Sequence, residues 1–320
     1  MNWRPSASLE ALRGRAELLA RTRAFFAARG VLEVETPALA AAPVTDPHLA
    51  SLATRLHGPG SPDGRTLYLQ TSPEFAMKRL LAAGSGPVYQ LARVFRDDEV
   101  GRHHNPEFTL LEWYRPGFDH HGLMDEVDAL LRTLLGAPAA ERLTYAEAFG
   151  RHAGVDPHRD EVSTLRRAAG ELGAGCGLAA EDRDGWLGLL LSHRVQPALG
   201  RGRPTFLHDF PASQAALARI RPGEPPLAER FEVFVEGVEL ANGYHELTDG
   251  REQAGRFRAD LERRVAMGLP AVPLDGRLLE ALEAGLPPCA GVALGFDRLV
   301  MLALGAGHID EVLAFPVERA

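Results

Sequence analysis

The stretch VYQLARVFRDDEVGRHHNPEFTLLEWY, residues 88–114, constrains the fold of this chain more than any other. VYQLARVF (88–95) and FTLLEWY (108–114) are rich in β-branched and aromatic residues, as strands are. The residues between them carry a glycine, histidines and a run of charge, as suits a hairpin loop. Arg96 stands where the first strand ends, followed by Asp97, Asp98 and Glu99. Alone, such a run reads as a solvated charge cluster. The continuation argues for more. His104, Asn105, Pro106, Glu107 and Phe108 define the loop exit, and Glu112 and Tyr114 then alternate onto one face of the second strand. One sheet face would hold a carboxylate and a phenol near an arginine.

Around this hairpin the pattern predicts an α+β fold. Leu9, Leu12, Leu18, Leu19, Phe25 and Phe26 mark an amphipathic helix over 9–29, with Gly30 as its stop. VLEVETP reads as a strand ending at Pro37. LYLQTSPEF (67–75) reads as a strand entering a helix, with Ser72, Pro73 and Glu74 at the cap. Residues 119–135 form a further helix. Residues 137–225 are rich in Ala, Gly, Arg and Pro and predict a helical insertion. RFEVFVEGVELANG (230–243) predicts a strand pair with Gly237 at or near its turn. A charged helix follows at 251–268, and CAGVALGFDRLVMLALG (289–305) is a glycine-laced strand leading into a helix. The strands of 30–115 read as a meander to which later strands return. That predicts an antiparallel sheet flanked by helices in a single domain, since no linker interrupts the 320 residues.

Composition excludes several classes of function. The formal charge of −8 makes nucleic acid a poor default partner. Cys176 and Cys289 form no CxxC and no zinc spacing; they read as a reducing compartment or as inert buried thiols. Residues 1–20 are polar and arginine-rich, unlike a signal peptide, and Asp297 and Arg298 interrupt the longest apolar run. The expected location is the cytosol. There is no P-loop or GxGxxG, and Ser72 lacks a GxSxG setting. The histidine pairs 103–104 and 120–121 are adjacent, so their side chains should diverge; this is not metal-ligand spacing, and they are expected to be exposed.

Two further clusters point to chemistry. In GVALGFDR (291–298), Gly291 and Gly295 let a ligand approach the backbone, and Arg298 opens a helix at a strand end. Arginine presents a planar fork that fits phosphate oxygens and stays charged. Two forks, Arg96 and Arg298, suit a triphosphate gripped from both sides during ATP activation of a carboxylic acid. Glu232, Glu239 and Glu246 recur every seven residues through the 230–246 segment. Either the carboxylates here line a solvent face with Glu236, or Glu232 and Glu239 hold Mg²⁺, which takes carboxylate oxygens with substrate phosphates.

Over almost its whole length the chain resembles class II aminoacyl-tRNA synthetases of the lysyl type. GVLEVETP with its preceding helix looks like their motif 1, FRDDEVGRHHNPEFTLLEWY like motif 2, and GVALGFDR like motif 3; ANGYHELTD is a lysyl-type flank. The resemblance implies the class II catalytic fold, ATP and Mg²⁺, and a homodimer built on motif 1. It implies that Arg96 and Arg298 grip ATP, Arg96 near the α-phosphate. It also implies that Asp97, Asp98, His104 and Asn105 belong to the nucleotide loop, and that Glu239, Leu240 and Gly295 line the ATP site. By the same resemblance Glu232 and Glu239 are the magnesium carboxylates. Ser72, Pro73, Glu74, Tyr114, Asn242 and Glu246 match the amino-acid pocket, and Glu112 a carboxylate near the substrate amine. The family has Glu where this chain has Asp98, and the middle glycine of motif 3 is Ala293, whose methyl would change the room beside the substrate amine.

Motif 1 begins within the first few dozen residues, so no anticodon-binding barrel is expected before it. This feature, Ala293, PSAS near the start and FPASQAALA at 210–218 resemble protein-modifying members of the family. Those members adenylate (R)-β-lysine and pass it to a lysine of elongation factor P, which makes tRNA an unlikely acceptor. The alternatives are a truncated lysyl paralogue acting on tRNA or a small amine, and an inactive synthetase-like scaffold. Intact Arg96, Glu239 and Arg298 argue against the scaffold.

Overall fold

The computed structural model describes residues 3–320. In chain order its elements are α1 (Leu9–Ala27), β1 (Leu32–Glu33), β2 (Leu39–Ala40), β3 (Ala53–Gly58), β4 (Ser61–Leu69), α2 (Glu74–Ala82), β5 (Val88–Phe95) and β6 (Glu107–Pro116). There follow α3 (His120–Leu135), β7 (Glu141–Thr144), α4 (Tyr145–His152), α5 (Val162–Ala169), α6 (Arg183–Leu190), β8 (Thr205–Pro211), β9 (Ile220–Arg221), β10 (Leu227–Val235) and β11 (Val238–His245). The chain ends with α7 (Gly250–Ala266), α8 (Gly276–Gly285), β12 (Cys289–Gly295) and α9 (Phe296–Leu304). The mixture is α+β, as the sequence predicts.

One compact unit comprises the chain through Gly117, Thr248–Pro288 and Ala293–Ala320. Ser8 caps α1 by accepting from the Ala11 amide, and Gly30 leaves the helix with φ 65°. Phe25 and Phe26 turn inward: Phe26 is 0% exposed, stacks on Tyr89 at 4.4 Å and meets Trp113 edge-on at 5.2 Å. β5 and β6 pair antiparallel from Val88↔Tyr114 to Phe95↔Glu107, as expected of the hairpin. The expected meander is not what forms beside them. β1 is two residues long and runs parallel to β5, while β4 joins a separate small sheet in the order β2-β4-β3. An α-helix precedes both β1 and β5, which lets the two run in the same direction.

The other unit comprises Phe118–Leu247 and Cys289–Val292. β10 and β11 form the expected hairpin, and Glu236 (φ 51°) and Gly237 (φ 77°) take the two left-handed positions of its turn. β8 pairs antiparallel with β10, and β7 parallel with β8. Residues 137–225 therefore hold strands β7 and β8 as well as helices α4–α6. The polar His208-Asp209 step within TFLHDFP hides the β8 pattern from a sequence reading. Helix α4 starts with a reciprocal capping box between Thr144 and Glu147. Its Tyr145 and Phe149 stack at 4.3 Å in a core shared with Leu165, Trp186, Leu190, Phe210 and Phe234.

A further expectation is overturned at the start of α3. His120 is not exposed: it opens α3 behind the Asp119 cap and is 2% exposed, because α3 packs against β10 and β11. His121 and His103 are half-buried, and of the two pairs only His104 is exposed.

Candidate active site

In the first unit, strand alternation puts Gln90, Ala92 and Val94 of β5 on one face with Phe108, Leu110, Glu112 and Tyr114 of β6. Arg96 follows at the end of β5. Ala92, Val94 and Leu110 form a small apolar floor, and Phe108 and Ala293 pack on it. At one end of this face Glu112 is 2% exposed. Its Oε2 accepts from Ser72 Oγ at 2.7 Å and its Oε1 from Tyr114 Oη at 2.7 Å. Ser72 Oγ also accepts from the Glu74 amide, so the start of α2 fixes the serine. Two neutral hydroxyls thus orient the carboxylate. Glu74 has a different environment: Lys78, buried one turn along α2, lies 2.6 Å from its Oε1. Ser72, Pro73 and Glu74 line a cleft of about 150 Å³ with Gln70, Thr71 and Arg79.

At the other end of the face lie the arginines. Arg96 has its guanidinium carbon 5.1 Å from the Phe108 ring centre and Nη1 3.4 Å from Glu99 Oε1. Its Nε is buried with no hydrogen-bond partner, a donor suited to an anion. Asp97 and Asp98 are exposed, and Asp98 takes φ 62°. Glu99, not Asp98, reaches Arg96. Arg298, in the first turn of α9, lies 2.7 Å from His104 Nε2 and donates from Nε to the His103 carbonyl at 3.3 Å. Burial and then the nearby Arg102 and Arg298 charges hold His103 below the usual imidazole range. Asn105 is spent on backbone: Nδ2 donates to the Glu107 carbonyl at 2.6 Å and Oδ1 accepts from the Val317 amide at 3.0 Å. Gly295 stands at the N-cap of α9.

In the second unit, Glu232 of β10 faces Asn242 of β11. Glu239 and Asn242 are three residues apart, so simple alternation would put them on opposite faces. A register shift between Val233 and Phe234 corrects this: Val233 pairs with Ala241 but Phe234 pairs with Glu239. The bulge at Leu240 swings Glu239 onto the face of Glu232 and Asn242. Glu246, 2% exposed, follows by alternation. Leu240 is buried. Burial, and then the Glu239 charge, push the Glu232 carboxyl above the usual range against the pull of Arg230, whose Nη2 lies 2.5 Å away.

The roles of several supporting residues escaped the sequence reading. Asp297, buried in motif 3, accepts from Arg15 Nη1 at 2.5 Å and from the Thr109 amide at 2.7 Å, while Arg15 Nη2 donates to Thr109 Oγ1 at 2.9 Å. This lock ties α1, β6 and α9 together beside Arg298. Phe108 and Lys78 are the others. Phe108 could have been found from its parity with Glu112; Arg15 and Lys78 carry no local signal among many helical basic residues.

The family of class II tRNA synthetases for D, K and N matches residues 1–319, and the chain belongs to it. Among curated relatives, the elongation factor P–(R)-β-lysine ligase of Vibrio cholerae serotype O1 is 57% identical over 320 residues, covering 100% of this chain and 99% of that protein. The protein of the same name from Vibrio vulnificus is 56% identical over 316 residues, 98% of each chain. That from Salmonella paratyphi B is 56% identical over 319 residues, 99% of this chain and 98% of the relative. Among the described residues no helix is long and apolar enough to cross a membrane.

Proposed function

We propose that this chain is an ATP-dependent ligase that adenylates (R)-β-lysine and transfers the β-lysyl group to a lysine side chain of elongation factor P. The observation that carries the reading is the full-length likeness to relatives bearing that name. Two buried carboxylates support it. A diamino acid brings two ammonium groups, and a desolvated ammonium needs an anionic partner. Glu112 and Glu246 are the carboxylates assigned to them, with Ser72 and Tyr114 holding Glu112 in place.

In the first step a carboxylate oxygen of the amino acid attacks the α-phosphorus of ATP, and the bond to pyrophosphate breaks. Arg96 and Arg298 bind the phosphates and offset charge as it moves onto them. Phe108 offers a flat apolar surface for the adenine, and the Asp297 lock keeps Arg298 aimed. In the second step the acceptor amine, having lost its proton, attacks the acyl carbon and AMP leaves. Reaction follows from positioning; no side chain of the enzyme needs to become acylated.

Glu232 and Glu239 fit a magnesium ion. They are carboxylates on one sheet face, and burial first and the Glu239 charge second raise the Glu232 carboxyl, both of which a divalent cation would offset. When bound, Mg²⁺ supplies charge neutralisation on the phosphates. Arg230 meanwhile holds Glu232 through Nη2.

In this reading the chain is a single catalytic domain with an insertion over about 137–225, works as a homodimer and resides in the cytosol. Phe25 and Phe26 belong to the internal core, so a dimer contact in the motif 1 region would use outward residues such as Leu9 and Leu32, 66% and 56% exposed. The test is pyrophosphate exchange with (R)-β-lysine and α-lysine, followed by transfer to elongation factor P or to tRNA. No exchange with either isomer would reject the enzyme; transfer to tRNA alone would reject the protein acceptor.

A further inference from the structure

A second constellation occupies the other face of the sheet in the unit that carries Glu232. Along β11, Asn242, Tyr244 and Glu246 share one face, so Gly243 and His245 point to the opposite one, where α3 packs. There His120, at the start of α3, meets His208 and Asp209 of β8, and also Glu229 of β10 and His245 of β11. None of these residues has a part in the proposed ligase reaction.

Ligand-capable atoms within 4.8 Å of one another form two triples that share His120. They differ in how far they are satisfied. In His120–Glu229–His245, the His245 Nδ1 and Glu229 Oε2 atoms already lie 2.7 Å apart in a hydrogen bond. In His120–His208–Asp209 the imidazoles lack partners, although Asp209 Oδ1 accepts from Arg221. His120 is buried with neither ring nitrogen hydrogen-bonded, and His208 Nδ1 is in the same state. Imidazoles hidden from water normally find a partner. His120 Nε2 lies 3.7 Å from Asp209 Oδ1 and His208 Nδ1 3.3 Å from Asp209 Oδ2. These separations are long for hydrogen bonds. Zinc bonds of about 2.0–2.1 Å in tetrahedral array put donors roughly 3.3–3.4 Å apart, a spacing that His208 Nδ1 and Asp209 Oδ2 match at 3.3 Å and that His120 Nε2 and Asp209 Oδ1 approach at 3.7 Å.

The backbone also serves this convergence. Neighbours on a strand point to opposite faces, yet His208 and Asp209 meet. Asp209 takes φ 60°, and the β8–β10 register shifts between Ala228 and Phe231. Arg221 Nη2 donates to Asp209 Oδ1 at 2.9 Å and Nη1 lies 3.7 Å from Glu229 Oε1, so the guanidinium holds the carboxylates from outside.

We propose that His120, His208 and Asp209 form a zinc-type divalent metal site, with two imidazoles and one carboxylate as protein ligands and water completing the shell. The site joins the first turn of α3 to β8, so its ion acts on stability and has no step in the chemistry.

The test uses tag-free full-length protein, stripped with chelator and then equilibrated with Zn²⁺ or Co²⁺. The expected result is one metal retained per chain after gel filtration, a Co²⁺ visible spectrum of tetrahedral intensity, and a melting temperature raised by Zn²⁺. His120→Ala and Asp209→Asn should abolish retention, while His193→Ala, a change at an exposed histidine outside the cluster, should keep it. His208→Gln serves if His120→Ala does not fold. Wild-type protein that retains no metal overturns the proposal. So does retention that survives loss of His120 or of His208.

Discussion

A buried carboxylate costs free energy unless something offsets it, and Glu112 and Glu246 are buried carboxylates that the proposed reaction assigns to the ammonium groups of the amino acid. Glu246→Gln should weaken the amino acid far more than ATP, because losing one partner of a buried charge pair costs about 3–5 kcal/mol. Separate KM measurements for the two substrates in pyrophosphate exchange check this; equal losses would remove Glu246 as an ammonium partner. Arg298 is held by His104 and the His103 carbonyl, so its fork is aimed before ATP arrives. Arg298→Ala should lower exchange by about 10²-fold or more, the scale of losing an aligned charge-stabilising donor; wild-type exchange would reject the role. Ala293 packs on the floor made by Ala92, Val94 and Leu110. A methyl group discriminates by roughly 1–3 kcal/mol, tens- to hundredfold. Ala293→Gly should therefore shift kcat/KM toward α-lysine relative to (R)-β-lysine, and an unchanged ratio would leave Ala293 a packing residue only.

Elements that announce themselves locally were legible in the sequence. The β5–β6 hairpin, the Glu236–Gly237 turn, the Gly30 stop after α1 and the glycine-to-helix passage into α9 all carry their signal within a few residues. What was hidden depends on partners far along the chain. The bulge that brings Glu239 beside Asn242 is a property of the β10–β11 pairing, not of either strand. The parallel entry of β1 and the β8 strand are likewise set by neighbours. The burial of His120 depends on which sheet face α3 covers, and adjacency of two histidines says nothing about that. The Arg15–Asp297–Thr109 lock joins residues from three elements. The capping box of α4 offers a check on the insertion: Thr144→Ala should cost about 1 kcal/mol, read as a fall of roughly 2 °C in melting temperature. Pyrophosphate exchange at ordinary temperature should stay at the wild-type rate. A large loss of exchange without a fall in stability would show that α4 takes a direct part in the reaction.

At the scale of the molecule, family and acceptor are separate matters. The class II match spans residues 1–319, and the formal charge of −8 disfavours a polyanionic acceptor such as tRNA. The central claim is that the activated amino acid goes to a protein. Intact-mass analysis of elongation factor P after incubation with this enzyme, ATP and either lysine isomer tests it most directly, with tRNA offered in parallel. One added lysyl unit on elongation factor P is expected, faster with (R)-β-lysine than with α-lysine, and no charged tRNA. Unmodified elongation factor P alongside aminoacylated tRNA would contradict it.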